Sequence, residues 1–358
     1  MVQIRKKYQY AAACLTSMGV RITPEDRMPV HNSTRYYLQS TSAETDVLNV
    51  LTSLGMPCLA MTKFVKGSPI ARFIRDDLRR RNFCYEGKEV EQDGPWGCRH
   101  QFNILDSGYG LRAPRMWNDR AGEVGRTLSV SDFDLERIFE EEGVGILHLS
   151  GLIASLSEET TNCCVLLAEY ARQHGTLVSF DLNYRASFWQ GREKELRSAF
   201  TRVAALSDIL LGNEEDFQLC LGIEGPAPGG KNLTEQAQNF QRMIENAKKA
   251  YPNTSVFATT LRQVISANEH LWGAILTDGE KWYYEQPRKI DVLDRNGGGD
   301  GFAGGVLYGI SRQWPAEKWI QFGWASAVLA ACSLHDYAEP LDEKQVWDIY
   351  LGNARVQR

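Results

Sequence analysis

Gly297-Gly298-Gly299-Asp300, entered from the apolar Val292-Leu293 and followed by Gly301-Phe302-Ala303-Gly304-Gly305, is the stretch whose residue types could most directly do chemistry. Consecutive glycines reach backbone conformations closed to other residues, so successive N–H groups can converge on an anion. A helix beginning here adds unpaired N–H donors and the positive end of its dipole. Asp300, at the junction, could accept a proton from a hydroxyl while the amides hold a phosphoryl group. Phosphoryl transfer depends chiefly on positioning and charge stabilisation, and such a loop suits it. The plainer alternative is a tight turn in which Asp300 only caps the helix. An amphipathic helix is expected to follow the loop.

Positioning that loop is the task of the elements before it. From 144 onward short apolar runs at 144–149, 176–180, 207–213 and 256–259 alternate with helical patterns that run from the Ser155 cap to Gly175, near 192–206, from Glu214 onward and over 234–250. That rhythm argues a parallel sheet with helices on both faces, with ligands at the carboxyl ends of its strands. Polar clusters fall at those ends: Asp181 to Arg185, Asn213 to Asp216, and the glycine loop. Upstream, 11–22 reads as one buried strand ending at Thr23-Pro24, and 34–39 as a β-rich lid strand. Ser42 opens a helix with Ala43, Val47, Leu51 and Leu54 on one face and Gly55 as its stop. Residues 71–83 read as a second helix whose basic run is a solvated face, and two β-like runs within 94–120 as a hairpin or small sheet. Ser155-x-x-Glu158 reads as a capping box, 222–231 as a Gly/Pro-rich surface loop, and 260–265, 272–276 and 281–284 as antiparallel strands turning at Asp278-Gly279. A helix is expected at 316–334, and 342–351 is expected to close the fold.

The glycine loop with its Gly301-Phe302-Ala303-Gly304-Gly305 continuation resembles the C-terminal signature of the PfkB/ribokinase family of sugar kinases. The preceding Asp294-Arg295 and the GGGD form are similar to its 2-keto-3-deoxygluconate kinase branch. The resemblance implies a ribokinase-like α/β fold: a mostly parallel central sheet with helices on both faces, in a single domain over 1–358, plus a small β lid from 34–40 and 98–120. It implies an ATP- and Mg²⁺-dependent kinase that phosphorylates a primary hydroxyl of a keto sugar acid, 2-keto-3-deoxygluconate first. Alternatives are a kinase for another sugar such as a ketohexose, or a non-catalytic sugar- or nucleotide-binding regulatory protein. Asp300 would be the base, and Gly297, Gly298 and Gly299 the anion hole.

The remaining roles come from the same resemblance. Asn213-Glu214-Glu215-Asp216 resembles the family's Asn-x-x-Glu motif, which acts through water on Mg²⁺ and the nucleotide phosphates; Asp216 is one methylene shorter, and by itself the run is an acidic helix start. Thr260 and Arg262 lie where relatives place a loop near the phosphates, and Lys281, His335 and Asn353 are secondary nucleotide candidates. Asp181-Leu-Asn-Tyr-Arg185 resembles a segment whose arginine grips the sugar's carboxylate with its planar fork; the alternative is an Arg185–Asp181 salt bridge. Ser42 and Asp46 stand in a motif that elsewhere reads Gly-Gly-Ala-x-x-Asn, with Thr41 and Ser42 replacing the glycines. Phe102, Asn118 and Arg120 are the sugar contacts expected from the lid, where Asn118-Asp119-Arg120 replaces an aromatic-Asp-Arg triplet. Pairing of two lids would make a homodimer.

Composition narrows the classes. Hydrophobic content of 43% and charged content of 24% are those of an ordinary globular chain. A net charge of −5 and a pI near 5.8 give no electrostatic reason to expect nucleic acid. Without a bilayer-length apolar run or a signal-type N-terminus, a cytoplasmic protein without membrane partners is expected. The eight cysteines lack metal-type spacing and read as free thiols. Neither GxxxxGK[ST] nor HRD and DFG occurs, which excludes a Walker ATPase and a protein kinase.

Overall fold

Runs that are apolar throughout, rather than alternating, belong to strands covered on both faces, and the buried runs Tyr10–Leu15 and Val144–Ser150 lie side by side inside a nine-stranded sheet. The computed structural model describes residues 2–225 and 232–356. Its strands are β1 (Tyr10–Leu15), β2 (Gly19–Pro24), β3 (Tyr36–Thr41), β4 (Cys58–Met61), β5 (Phe64–Val65), β6 (Phe83–Glu86), β7 (Glu89–Val90), β8 (Gln101–Asp106), β9 (Arg115–Asp119), β10 (Val144–Ser150), β11 (Leu177–Asp181), β12 (Ile209–Leu211), β13 (Val256–Ser266), β14 (Glu269–Thr277) and β15 (Trp282–Asp291). The large sheet runs β15-β14-β13-β12-β11-β10-β1-β4-β6. It is parallel from β6 to β13, and β14 and β15 add antiparallel edges. A second sheet, β3-β2-β8-β9, is the lid, and β5 pairs with β7.

Side chains alternate across the large sheet with a period of two. Ala12, Cys14, Ile146 and Ala258 join one core cluster, while Ala13, Leu15, Leu147 and Phe257 join another. Helices Ala43–Ser53, Pro69–Arg80, Gly298–Ser311, Ala316–Ala331 and Glu343–Tyr350 cover the first face; Glu158–Gln173, Glu193–Leu206, Glu214–Leu221 and Leu233–Ala250 cover the second. This is the ribokinase-like arrangement expected, with a mostly parallel sheet and a small lid. No helix among the described residues is long and apolar enough to cross a membrane.

Several local expectations need correcting. The stretch 11–22 is two strands in two sheets. The break falls at polar Thr16 and Ser17, whose hydroxyls are spent on the carboxylates of Glu44 and Glu123. The helix after β10 is capped by Ser157 with Thr160, not by Ser155 with Glu158. Residues 256–266 form one continuous strand instead of two. Arg81, at the end of the basic run, is buried rather than solvated. Its Nε donates to Asn49 Oδ1 at 2.7 Å, its Nη2 to Asp46 Oδ1 at 3.2 Å, and its guanidinium lies 3.8 Å from the Tyr337 ring centre. Of the Gly/Pro-rich stretch 222–231, residues 226–231 lie outside the described residues.

The helix Gly298–Ser311 is not amphipathic. Nearly all of it is buried, because its small residues let neighbours approach on two sides. A methyl group on Gly304 would fall 2.2 Å from the Val47 carbonyl oxygen, and one on Gly305 2.6 Å from Gly323 Cα. Packing between helices Ala43–Ser53 and Ala316–Ala331 fixes the axis, and with it the N-terminus that points into the site.

Candidate active site

Gly297 is the N-cap of that helix, in the left-handed region at φ 74°, and Asp300 lies in the first turn rather than at the cap. The three glycines have different duties. A methyl group on Gly297 would sit 1.8 Å from the Asp336 carbonyl oxygen and one on Gly298 2.4 Å from the Trp272 ring, while one on Gly299 would meet nothing within 4 Å. The first two are therefore tied up in packing, and the third faces an open chamber at a helix N-terminus, where an anion gains most. Gly299→Ala should accordingly change stability by less than about 0.5 kcal/mol yet weaken binding of a phosphate-bearing ligand. Gly297→Ala should cost about 1–3 kcal/mol. Calorimetric melting and ATP titration of both variants check this, and equal effects on stability would refute it.

Two chambers meet at the glycine loop. The smaller, about 150 Å³, is lined by lid residues Thr41, Gln101, Asn103, Asn118 and Arg120, by Ser42, Glu44 and Asp46, and by Arg185, Gly297, Asp300 and Asp336. The larger, about 620 Å³, is lined by Asp181, Asn213, Glu214, Asp216, Thr260, Arg262, Trp272, Arg295 and Gly299, and again by Arg185, Gly297 and Asp300. Burial, together with the carboxylates of Asp46, Asp181 and Asp336, pushes Asp300 well above the usual carboxylate range, and Arg185 opposes the shift. Asp181 is pushed up to about 7 by burial and then by Asp216.

In the smaller chamber Ser42 caps the helix Ala43–Ser53 through Thr45 N. Asp46 is held from both sides, accepting from Thr41 Oγ1 at 2.9 Å and from Arg81. Arg120 donates through Nη1 to Glu123 Oε1 at 2.7 Å and lies 5.4 Å from the Phe188 ring centre, leaving its buried Nε without a partner. Arg185 forms no salt bridge with Asp181; its Nη1 donates to the Tyr184 carbonyl at 2.8 Å and it makes no ion pair among the described residues. Phe102 does not line the chamber. On β8 alternate residues face opposite ways, so Gln101 and Asn103 reach the chamber while Phe102 packs against the core.

In the larger chamber Asn213 and Asp216 form a reciprocal cap: Asp216 N donates to Asn213 Oδ1 at 3.0 Å and Asn213 N to Asp216 Oδ2 at 2.8 Å. Asp216 Oδ1 also accepts from Tyr184 N at 3.0 Å, tying the turn after β12 to the turn after β11. Arg262 lies 5.5 Å from the Trp272 ring centre and is lowered to about 10 by burial and by Arg295. Neither arginine has a carboxylate partner among the described residues, so an anionic ligand is the charge that would balance them. Thr260 lines the same wall. Lys281, His335 and Asn353 line neither chamber; Asn353 is turned to Asp348, with its Nδ2 at 3.1 Å.

Sequence reasoning missed Glu44, Asn103, Trp272, Arg295 and Asp336 as lining residues. Asn103 was recoverable from the period of two along β8, and Arg295 from its place beside the glycines. Glu44 accepts from Thr16 Oγ1, just after β1, at 2.7 Å and from Ser150 Oγ at the end of β10, two segments that only the fold brings to it.

The chain is 25% identical to a 2-dehydro-3-deoxygalactonokinase of Haloferax volcanii over 95% of its length and 96% of the relative's. It is 31% identical to a 5-dehydro-2-deoxygluconokinase of Clostridium tetani over 54% of its length, where it spans only 51% of that relative. In structure it is similar to a 2-dehydro-3-deoxygluconokinase from Thermotoga maritima, with a TM-score of 0.84 at 24% identity, covering 96% of this chain and 100% of the other. The model of the pfkB family carbohydrate kinases matches residues 131–343, more than half of the sequence, and the chain belongs to that family.

Proposed function

We propose that this chain transfers the γ-phosphoryl group of ATP to a primary hydroxyl of a keto sugar acid, with 2-keto-3-deoxygluconate the expected substrate. The observation that carries this reading is the junction of a sugar-sized and a nucleotide-sized chamber at Asp300 and Gly297. With its carboxylate ionised, Asp300 accepts the proton of the sugar hydroxyl as that oxygen bonds to the γ-phosphorus. The bond from phosphorus to the β–γ bridging oxygen breaks and ADP leaves. The amides at the start of the helix Gly298–Ser311 receive the negative charge that builds on the transferred group, with Arg262 and Arg295 beside them. Arg185, at the boundary, and Arg120, under the lid, are the cations available to a sugar carboxylate. The names of the Haloferax and Clostridium relatives, kinases of deoxy sugar acids, support that substrate class.

The residues present also fit Mg²⁺. Glu214 Oε1 is buried without a partner on the wall of the larger chamber, with Asp216 beside it. These two would hold the ion through water. No group of three or more His, Cys, Asp or Glu side chains suited to a metal occurs among the described residues, which accords with an ion held mainly by phosphate oxygens and water. When bound, it supplies neutralisation of the phosphate charge.

ADP release with Mg-ATP over a panel of keto sugar acids, aldonic acids and neutral ketohexoses tests the reading. Turnover is expected to be fastest on the keto sugar acids. Preference for a neutral ketohexose would replace the substrate class, and absence of turnover on every compound would leave a binding protein.

A further inference from the structure

We infer that Arg21 is a positioning residue for the anion loop, a buried cation that pins both flanks of Gly297 to the lid sheet. The inference rests on the phosphoryl-transfer reading only for its effect on turnover. Arg21 lies on β2 and is 1% exposed. Its guanidinium is paired with Asp294 through Nη2 and with Asp336 through Nη1, and its Nε donates to Thr23 Oγ1 at 2.7 Å. Those two carboxylates flank the loop. Asp294 Oδ1 accepts from Asn296 N at 3.0 Å, immediately before Gly297. The carbonyl of Asp336 is the group that a methyl on Gly297 would strike.

The lid holds the same two carboxylates through other strands. Ser107 Oγ, just after β8, donates to Asp294 Oδ2 at 2.7 Å, and Thr41 Oγ1, at the end of β3, lies 3.0 Å from Asp336 Oδ2 and shares its one proton between that oxygen and Asp46. One planar fork thus ties the turn that presents Gly297 to strands that roof the sugar chamber. A lysine, a point charge, could keep the charge but not span both carboxylates. Removing the cation leaves the fully buried Asp294 and the largely buried Asp336 without their shared partner, and the Asp294 to Gly297 turn loses its fixed position relative to the lid.

The test compares full-length Arg21→Lys and Arg21→Ala with wild type and with Arg35→Ala, a surface control on the same lid whose side chain is 74% exposed. Amide hydrogen exchange over 293–301, read by mass spectrometry, requires no turnover. Arg21→Lys, which keeps the buried charge and protects against loss of folding, should exchange there about tenfold faster while Arg35→Ala does not. Its kcat should fall at least about tenfold and KM for ATP should rise, with KM for sugar nearly kept, since the displaced amides hold phosphate in both the ground state and the transition state. Millimolar guanidinium ion should restore part of the protection and turnover of Arg21→Ala, whereas equal sodium chloride should not. Wild-type exchange over 293–301 in Arg21→Lys, or guanidinium that restores neither property, overturns the inference. Wild-type protein that protects the loop yet phosphorylates no sugar instead sinks the kinase reading, and the exchange result still decides the role of Arg21.

Discussion

Asp300→Asn is expected to lower kcat by about 10²–10⁴-fold, the usual range for a positioned general base, with ATP affinity within about threefold of wild type. Asparagine keeps the shape of the side chain and the helix start, so the glycine amides and the arginines of the larger chamber still meet the phosphates. It cannot take the hydroxyl proton. The pH dependence sharpens the test. Only ionised Asp300 can act as the base, so activity should be lost as pH falls through its pKa. That pKa is raised by burial and by Asp46, Asp181 and Asp336, which places the acid limb of kcat/KM above the ordinary carboxylate range. In Asp300→Asn the residual rate should lack that limb. Near-normal turnover in the variant, or an unchanged limb, would remove Asp300 from the mechanism.

Arg185→Ala is expected to cut kcat/KM for keto sugar acids by about 10–150-fold, the worth of a hydrogen-bonded charge pair of about 1.5–3 kcal/mol. Neutral ketohexoses should change by no more than about threefold. The reason is its freedom: Arg185 lines both chambers and makes no ion pair among the described residues, so its fork is available to a substrate carboxylate. Arg120 offers less, because Nη1 is held by Glu123. Arg185→Lys should recover only part of the loss, since a point charge cannot make the two parallel hydrogen bonds. Comparable losses on acidic and neutral sugars would mean that Arg185 serves the phosphates or the fold, and would remove the argument for an acid substrate.

What the sequence by itself determined is what short-range physics encodes. A glycine run before a helix, Ser42 at a helix start and the alternation of apolar runs with helical patterns are local in cause. They were enough for the sheet and for the helix that starts at the glycines. Side chains whose partners are distant were decided only by the tertiary structure. The basic run ending at Arg81 looks solvated until the helix Ala43–Ser53 and Tyr337 close over it. Asn103 takes the place expected of Phe102 because strand register, not residue type, decides which one faces the chamber. The helix after the glycines reads as amphipathic, yet its small residues admit neighbours on two sides. Above all, Gly297-Gly298-Gly299-Asp300 reads as a glycine turn into a helix, but nothing local says that Arg21, Asp294 and Asp336 hold it. Those three lie hundreds of positions apart on the chain for the longest pair, and a buried charge cluster of that separation leaves no local pattern, since only the folded chain sets its members within hydrogen-bonding distance.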